Sequence, residues 1–312
     1  MKMKITRPLT PVLWLGILGF LGLGPLAKAQ KLPQSNIYLF EFKTTSDSTM
    51  RFDQAAYLTS FNPLGYNNQP HFMTDDLLYF TVQLSDDTTQ TDIYGVDLKR
   101  QTLTQITATV ESEYSPQIVP GVPTELDGKR TSPRFSCIRV EADGVTQRIW
   151  EFPLDRSTNG RPSVVDLLNV GYYTWLGQNA LAVFLVGDPH QLAIVNRASG
   201  AYKNVTSNIG RCLQPMPRGN LAFVQKLGRT WIIRQLDPLT NQMKLQTGTL
   251  PGSEDFVALS DGTLLMGRGS RLYKFRRGVD NGWREVADLS EYGIDNITRL
   301  AARGNRLALV DQ

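Results

Sequence analysis

The sequence is poor in the residues that carry nucleophilic, redox and metal chemistry. Its 312 residues include two cysteines, Cys137 and Cys212, and two histidines, His71 and His190. Four such residues, scattered along the chain, are a poor basis for a closed zinc site. There is no Cys-x-x-Cys pair, no phosphate loop, no dinucleotide fingerprint and no Gly-x-Ser-x-Gly elbow, so the usual marks of thiol exchange, nucleotide binding and serine hydrolysis are missing. Long helix-periodic segments are also scarce. Charge of one sign is not in real excess. The formal +4 rests on Lys2, Lys4, Arg7 and Lys28; setting these aside brings the 33 basic residues into balance with the 29 acidic ones. With no basic patch in the remainder, nucleic acid is not an expected partner.

One long apolar run exists, Val12 to Leu26. At about 15 residues it falls short of the roughly 20 needed to span a bilayer, and it is broken by Gly16, Gly19, Gly22, Gly24 and Pro25. It follows a basic start and precedes Ala27-Lys28-Ala29, the small-x-small pattern of a cleavage site. Residues 1–29 therefore read as a cleaved signal peptide, and residues 30–312 as one exported domain, periplasmic or secreted. No cysteine follows the apolar run, which argues against a lipid anchor. In an exported protein the two cysteines could pair, but their apolar strand contexts, in different and non-adjacent repeats, favour buried free thiols.

What is abundant is short apolar or alternating runs closed by turn residues. Hydrophobic residues make up 41% of the chain, with 11 Tyr, 13 Phe and 5 Trp, a composition that suits half-buried pleated strands. Tyr66–Phe72, Leu77–Gln83, Ile93–Leu98 and Leu103–Thr107 read as four antiparallel strands, one blade of a propeller. Turns between first and second strands recur at Asp75-Asp76, Asp127-Gly128, Gln178-Asn179, Gly219-Asn220, Asp261-Gly262 and Gly304-Asn305. Asn, Asp and Gly suit them because such turns need positive φ or local side-chain bonds. The last four recur about every 42 residues, the period of a four-stranded blade. The two earlier steps are longer by visible insertions, at Ser85–Thr91 and Pro120–Lys129.

Five blades follow: Tyr66–Thr107, Glu113–Leu168, Gly171–Thr206, Gly210–Leu250 and Glu254–Ser290. Two fragments remain. Ile297–Ala301 and Arg306–Val310 supply a first and second strand; Ile37–Phe42 and Ala55–Phe61 supply a third and fourth. Together they make a sixth blade from both ends of the chain. The expected fold is thus all-β: a six-bladed β-propeller of four-stranded antiparallel blades, closed by N- and C-terminal strands, with seven blades or an irregular ring as the alternative.

Blade one also carries a resemblance. Asn68-Gln69-Pro70-His71-Phe72-Met73-Thr74-Asp75-Asp76 with Tyr79-Phe80, then Asp92-Ile93-Tyr94 and Leu103-Thr104-Gln105-Ile106-Thr107, resembles the repeat of TolB-like β-propellers. The resemblance covers the propeller alone, without the α/β domain that precedes it in TolB. The Ser-Pro-Asp-Gly turn of that repeat stands here as Met73-Thr74-Asp75-Asp76. A TolB role is therefore not carried over.

In a propeller the start of each innermost strand rims one channel mouth. The candidate partner-binding residues are accordingly Tyr66, Asn68, His71, Glu113, Tyr114, Tyr172, Arg211, Glu254, Asp255 and Asn296. They form a polar and aromatic set of mixed charge that can hydrogen-bond a peptide or small ligand. The expectation is a monomeric, non-enzymatic binding scaffold for an envelope protein or peptide, with no cofactor. The alternative is a hydrolase of the lactonase-like six-bladed class, with calcium held in the channel by Asn68, Glu113, Glu254 and Asp255, oxygen ligands of the right kind. No catalytic residue is assigned.

Overall fold

Strands of this chain alternate between two apolar faces, and the reason lies in what each face meets. In the computed structural model, which describes residues 31–46, 49–121, 125–126, 129–130 and 133–312, six four-stranded antiparallel sheets are arranged as the blades of a propeller. Leu78, Phe80 and Val82 pack toward blade six, while their neighbour Tyr79 packs toward blade two. Leu264 and Met266 face blade four; Leu265 between them faces blade six. The period of two sends successive side chains to opposite faces of each sheet. Every blade is therefore apolar on both sides, and six hydrophobic clusters fill the six gaps between consecutive blades.

Blade one pairs Tyr66–Phe72, Leu77–Gln83, Asp92–Asp97 and Thr102–Gln105 in chain order. Blades three, four and five repeat this order. Blade six is the expected composite. Its first two strands are Ile297–Arg303 and Arg306–Asp311; its third and fourth are Asn36–Ser46 and Thr49–Tyr57. The third strand pairs antiparallel with the second from Asn36↔Asp311 to Glu41↔Arg306. This ladder joins the two ends of the ring, so neither half of the last blade is left with an open edge at its second or third strand. Phe40, Leu307 and Leu309, none of them solvent-exposed, close the gap to blade five beneath it.

Two strands depart from the sequence expectation. The fourth strand of blade six lies at Thr49–Tyr57, not Ala55–Phe61. The third strand runs on to Ser46, and its hairpin return fixes the register (Tyr38↔Tyr57, Phe42↔Phe52). Residues 43–54 are largely polar, so no apolar alternation marks them; the order of 43–46 and 49–54 comes from backbone pairing. Thr59 then turns inward, where its Oγ1 accepts a hydrogen bond from Ile37 N at 3.0 Å. In blade two, where the sequence suggests a fourth strand near Ser163–Leu167, that strand is only Arg161–Pro162. Proline cannot donate to a ladder and is tolerated at such an edge. Val164 and Leu167 leave the sheet to bury themselves between blades two and three. The insertion within blade two carries a small hairpin, Glu125–Leu126 with Lys129–Arg130. Asp127-Gly128, where the sequence suggests a turn, and residues 1–29, which it suggests are a signal peptide, lie outside the described residues. Cys137 and Cys212 are both buried and free.

Candidate channel-mouth site

First strands of all six blades line a central channel, with a cavity of about 260 Å³ between them. Their starts gather at one mouth. This follows from contacts: Tyr172, Arg211, Asp255 and Arg299, each at or beside the beginning of its strand, interact with one another. Antiparallel order then puts the fourth-to-first and second-to-third connections on this same face, and the first-to-second turns on the other.

Most of these inner strands are irregular near their start. Register shifts occur between Asn68 and His71, opposite Ser136–Ile138 in blade two, and between Val170 and Tyr172, Ile209 and Leu213, and Ile297 and Arg299. Bulges of this kind re-aim side chains and are over-represented beside functional sites. In blades one and two they place Gln69 (φ 58°) and Ser115 (φ 55°) in the left-handed region, each just before a proline. That conformation costs about 1–2 kcal/mol for a side chain with a Cβ. It is held by the Gln69 Oε1, which accepts from Ser115 N at 2.9 Å and from Thr81 Oγ1 at 2.8 Å.

The charged centre of the mouth spans blades three to six. Arg211 donates to Asp255 Oδ2 through Nε (2.8 Å) and Nη2 (2.5 Å). Glu254 accepts from the backbone N of Arg211 and from Lys226 Nζ, the latter at 3.1 Å. Gly210 makes room for this carboxylate: a Cβ there would stand 2.4 Å from Glu254 Oε1. Arg299 reaches the other Asp255 oxygen only at 3.9 Å. Its guanidinium lies 5.2 Å from the Tyr172 ring centre, and Nη2 donates to the Tyr172 hydroxyl at 3.4 Å. The Tyr66 phenol is a near neighbour of Arg299, Tyr172, Tyr114 and Arg211; burial raises its pKa.

The sequence-derived candidates therefore divide. His71, Tyr172, Arg211 and Asp255 line the cavity, with Tyr66 near both Tyr172 and Tyr114. His71 is held neutral: burial, and then the charge of Arg303, push its pKa down to about 4. Glu254 stands behind Arg211 as its support. Asn68 is buried and occupied locally, its Oδ1 accepting from Gln69 N at 2.8 Å. Asn296 belongs to the closure of the ring, where its backbone N and that of Asp295 both donate to Asp311 Oδ1. Glu113 is not on the channel. It is fully buried between blades one and two, where it takes hydrogen bonds from Arg139 Nε (3.1 Å) and Thr109 Oγ1 (2.5 Å).

The four oxygen donors of the calcium alternative thus lie apart, and its three carboxylates are already engaged with Arg139, Lys226 and Arg211. Among the described residues no group of three or more His, Cys, Asp or Glu is placed to hold a metal ion. The residues present do not fit a channel metal.

Arg299 is the residue that sequence reading missed. A signal for it existed: Ile209-Gly210-Arg211 and Ile297-Thr298-Arg299 are the same strand opening in blades four and six.

No family model matches the sequence, and no curated protein matches it. Solved structures do match in fold. A putative TolB from Agrobacterium tumefaciens superposes with a TM-score of 0.63 at 12% identity, over 89% of this chain and 98% of its own. A chain of a nidogen/laminin complex gives 0.57 at 11% identity, over 89% and 98%. A putative gluconolactonase gives 0.53 at 9% identity, over 79% and 88%. At such identities the likeness concerns the fold, which is that of a TolB-like six-bladed propeller.

Proposed function

We propose, on the premise of this TolB-like propeller, that the chain is an exported, non-enzymatic scaffold which presents its channel mouth to a protein or peptide partner at the cell envelope. The carrying observation is an asymmetry between the two faces. The connections around the mouth expose Leu64 (64%), Val110 (88%), Val145 (75%), Val165 (63%) and Leu168 (42%) on the side of blades one to three, and Leu227 (49%) in blade four. The turns of the opposite face expose Leu239 and Val279. Aliphatic side chains grouped on one rim around a polar centre are the anatomy of a protein contact. A solved structure of the same fold, the nidogen/laminin complex, is a complex of proteins; the analogy is one of fold. Among the described residues no helix is long and apolar enough to cross a membrane.

The test is chemical crosslinking in envelope extract. A discrete partner captured by the protein should be lost in Val110→Asp/Val165→Asp and kept in Leu239→Asp. Equal capture by both variants refutes the rim. A calcium-dependent rise of several degrees in melting temperature, abolished by Asn68→Ala or Glu113→Ala, would instead show calcium binding and favour the hydrolase alternative.

A further inference from the structure

We propose that the channel mouth is a receptor for a peptide carboxylate, gripped by the guanidinium of Arg299 with the phenols of Tyr172 and Tyr66 beside it. The proposal deepens the scaffold reading and rests on it.

Charge bookkeeping at the mouth leaves one cation over. Lys226 is matched by Glu254, and Arg211 by Asp255. Arg299 must share Asp255 with Arg211 and reaches it only at 3.9 Å. A guanidinium has five N–H donors in a planar fork. Among the described residues, the one acceptor within hydrogen-bond distance of the Arg299 side chain is the Tyr172 hydroxyl, at 3.4 Å. Arg299 lines the cavity, and its side chain is only 15% exposed. A cation so withdrawn from water, beside a second guanidinium, lacks an anion of its own and shares Asp255 only at long range. A carboxylate matches its fork in a bidentate pair. The Tyr172 hydroxyl, accepting from Arg299, keeps its own proton to donate to the same ligand.

Size points to the kind of ligand. The cavity, about 260 Å³, is below the roughly 300–1,000 Å³ of pockets that enclose small molecules whole. It suits one acidic side chain or a chain terminus, with the rest of the ligand outside. Outside lies the aliphatic rim of Leu64, Val110 and Val165, which complements apolar peptide side chains and not a sugar polymer.

Isothermal titration at low salt tests this with four probes: acetyl-Leu-Glu-Val-Leu-amide, its Gln counterpart, that counterpart with a free C-terminal carboxylate, and trigalacturonate. One or both carboxylate-bearing peptides should bind about tenfold or more tightly than the neutral one, and which does so identifies side chain or terminus. The preference should shrink as salt is raised. It should vanish in Arg299→Gln and weaken in Tyr172→Phe, which keeps the ring and loses the hydroxyl. If Arg299→Gln does not fold, Arg299→Lys keeps the charge but not the fork and should lose most of the preference. Equal binding of charged and neutral peptides, or a preference that survives Arg299→Gln, overturns the proposal, as does binding of trigalacturonate without peptide. A partner captured equally by the protein and by Arg299→Gln leaves the scaffold standing and removes the carboxylate receptor.

Discussion

Two buried groups should pull the stability of this protein in opposite directions over one span of pH. Glu113 is enclosed between blades one and two, and its Oε2 has no partner among the described residues. Burial pushes its pKa from 4.5 up to about 7, against the opposing pull of Thr109 and Arg139. The folded chain therefore holds a proton that the unfolded chain releases above pH 4.5, and stability falls as pH rises toward 7. The shift is worth about 3 kcal/mol. His71 does the reverse. Its pKa falls from 6.5 to about 4, so the unfolded chain binds a proton that the folded one refuses. Stability is complete above pH 6.5 and is lost as pH drops toward 4. Because His71 lines the channel and keeps part of its surface accessible, its share is about 2 kcal/mol. Between pH 4.5 and 6.5 the two nearly cancel. Single substitutions should unmask each: Glu113→Gln should make stability rise with pH by about 2 kcal/mol over this span, and His71→Gln should make it fall by up to about 3. Below about pH 7 the protonated Glu113 is as neutral as glutamine, so Glu113→Gln removes the titration without changing the charge beside Arg139, and the slope is the readout. Urea midpoints from pH 4.5 to 7.5, converted with the measured m-value, supply it. Parallel profiles for the protein and both variants, or slopes of the same sign, refute the reasoning.

Other perturbations have definite outcomes. Phe40→Ala, in the third strand of blade six, should cost about 3–5 kcal/mol in urea unfolding, because it opens a cavity where the two chain ends meet. Gly267→Ala should cost about 1–3 kcal/mol by the same assay, since its Cβ would stand 2.4 Å from Ile297 Cγ2 across the gap between blades five and six. Glu151→Gln should cost about 3–5 kcal/mol, because the fully buried Glu151 carboxylate binds Arg197 through two contacts of 2.7 Å and also Arg134. Millimolar calcium should leave the melting temperature where chelator leaves it, as the three carboxylates proposed for it are bound to Arg139, Lys226 and Arg211.

The blades and their closure could be read from the chain because the forces behind them are local. Turn chemistry at Gly262 (φ 84°) and Gly304 (φ 58°), and apolar runs such as Leu77–Gln83, are written in neighbouring residues. The matching half-blades at the two ends follow by counting. What the chain alone determined, then, is how many blades there are, the order of strands within them, and which ends must meet. The direction of individual side chains was decided only in three dimensions. Glu113 and Tyr114 are adjacent, and the pleat sends Glu113 into the gap between blades one and two and Tyr114 to the opposite face, against the cluster of blades two and three and near the Tyr66 phenol. A single bulge shifts that choice, and bulges arise from pairing with the next strand. The polar strand Thr49–Tyr57 exists because a partner ladder holds it. Arg299 acquires its surplus charge because blades four, five and six bring two arginines to one aspartate from positions 88 and 44 residues away in sequence, by subtraction from Arg299 to Arg211 and Asp255. No local pattern encodes that meeting; closure of the ring imposes it.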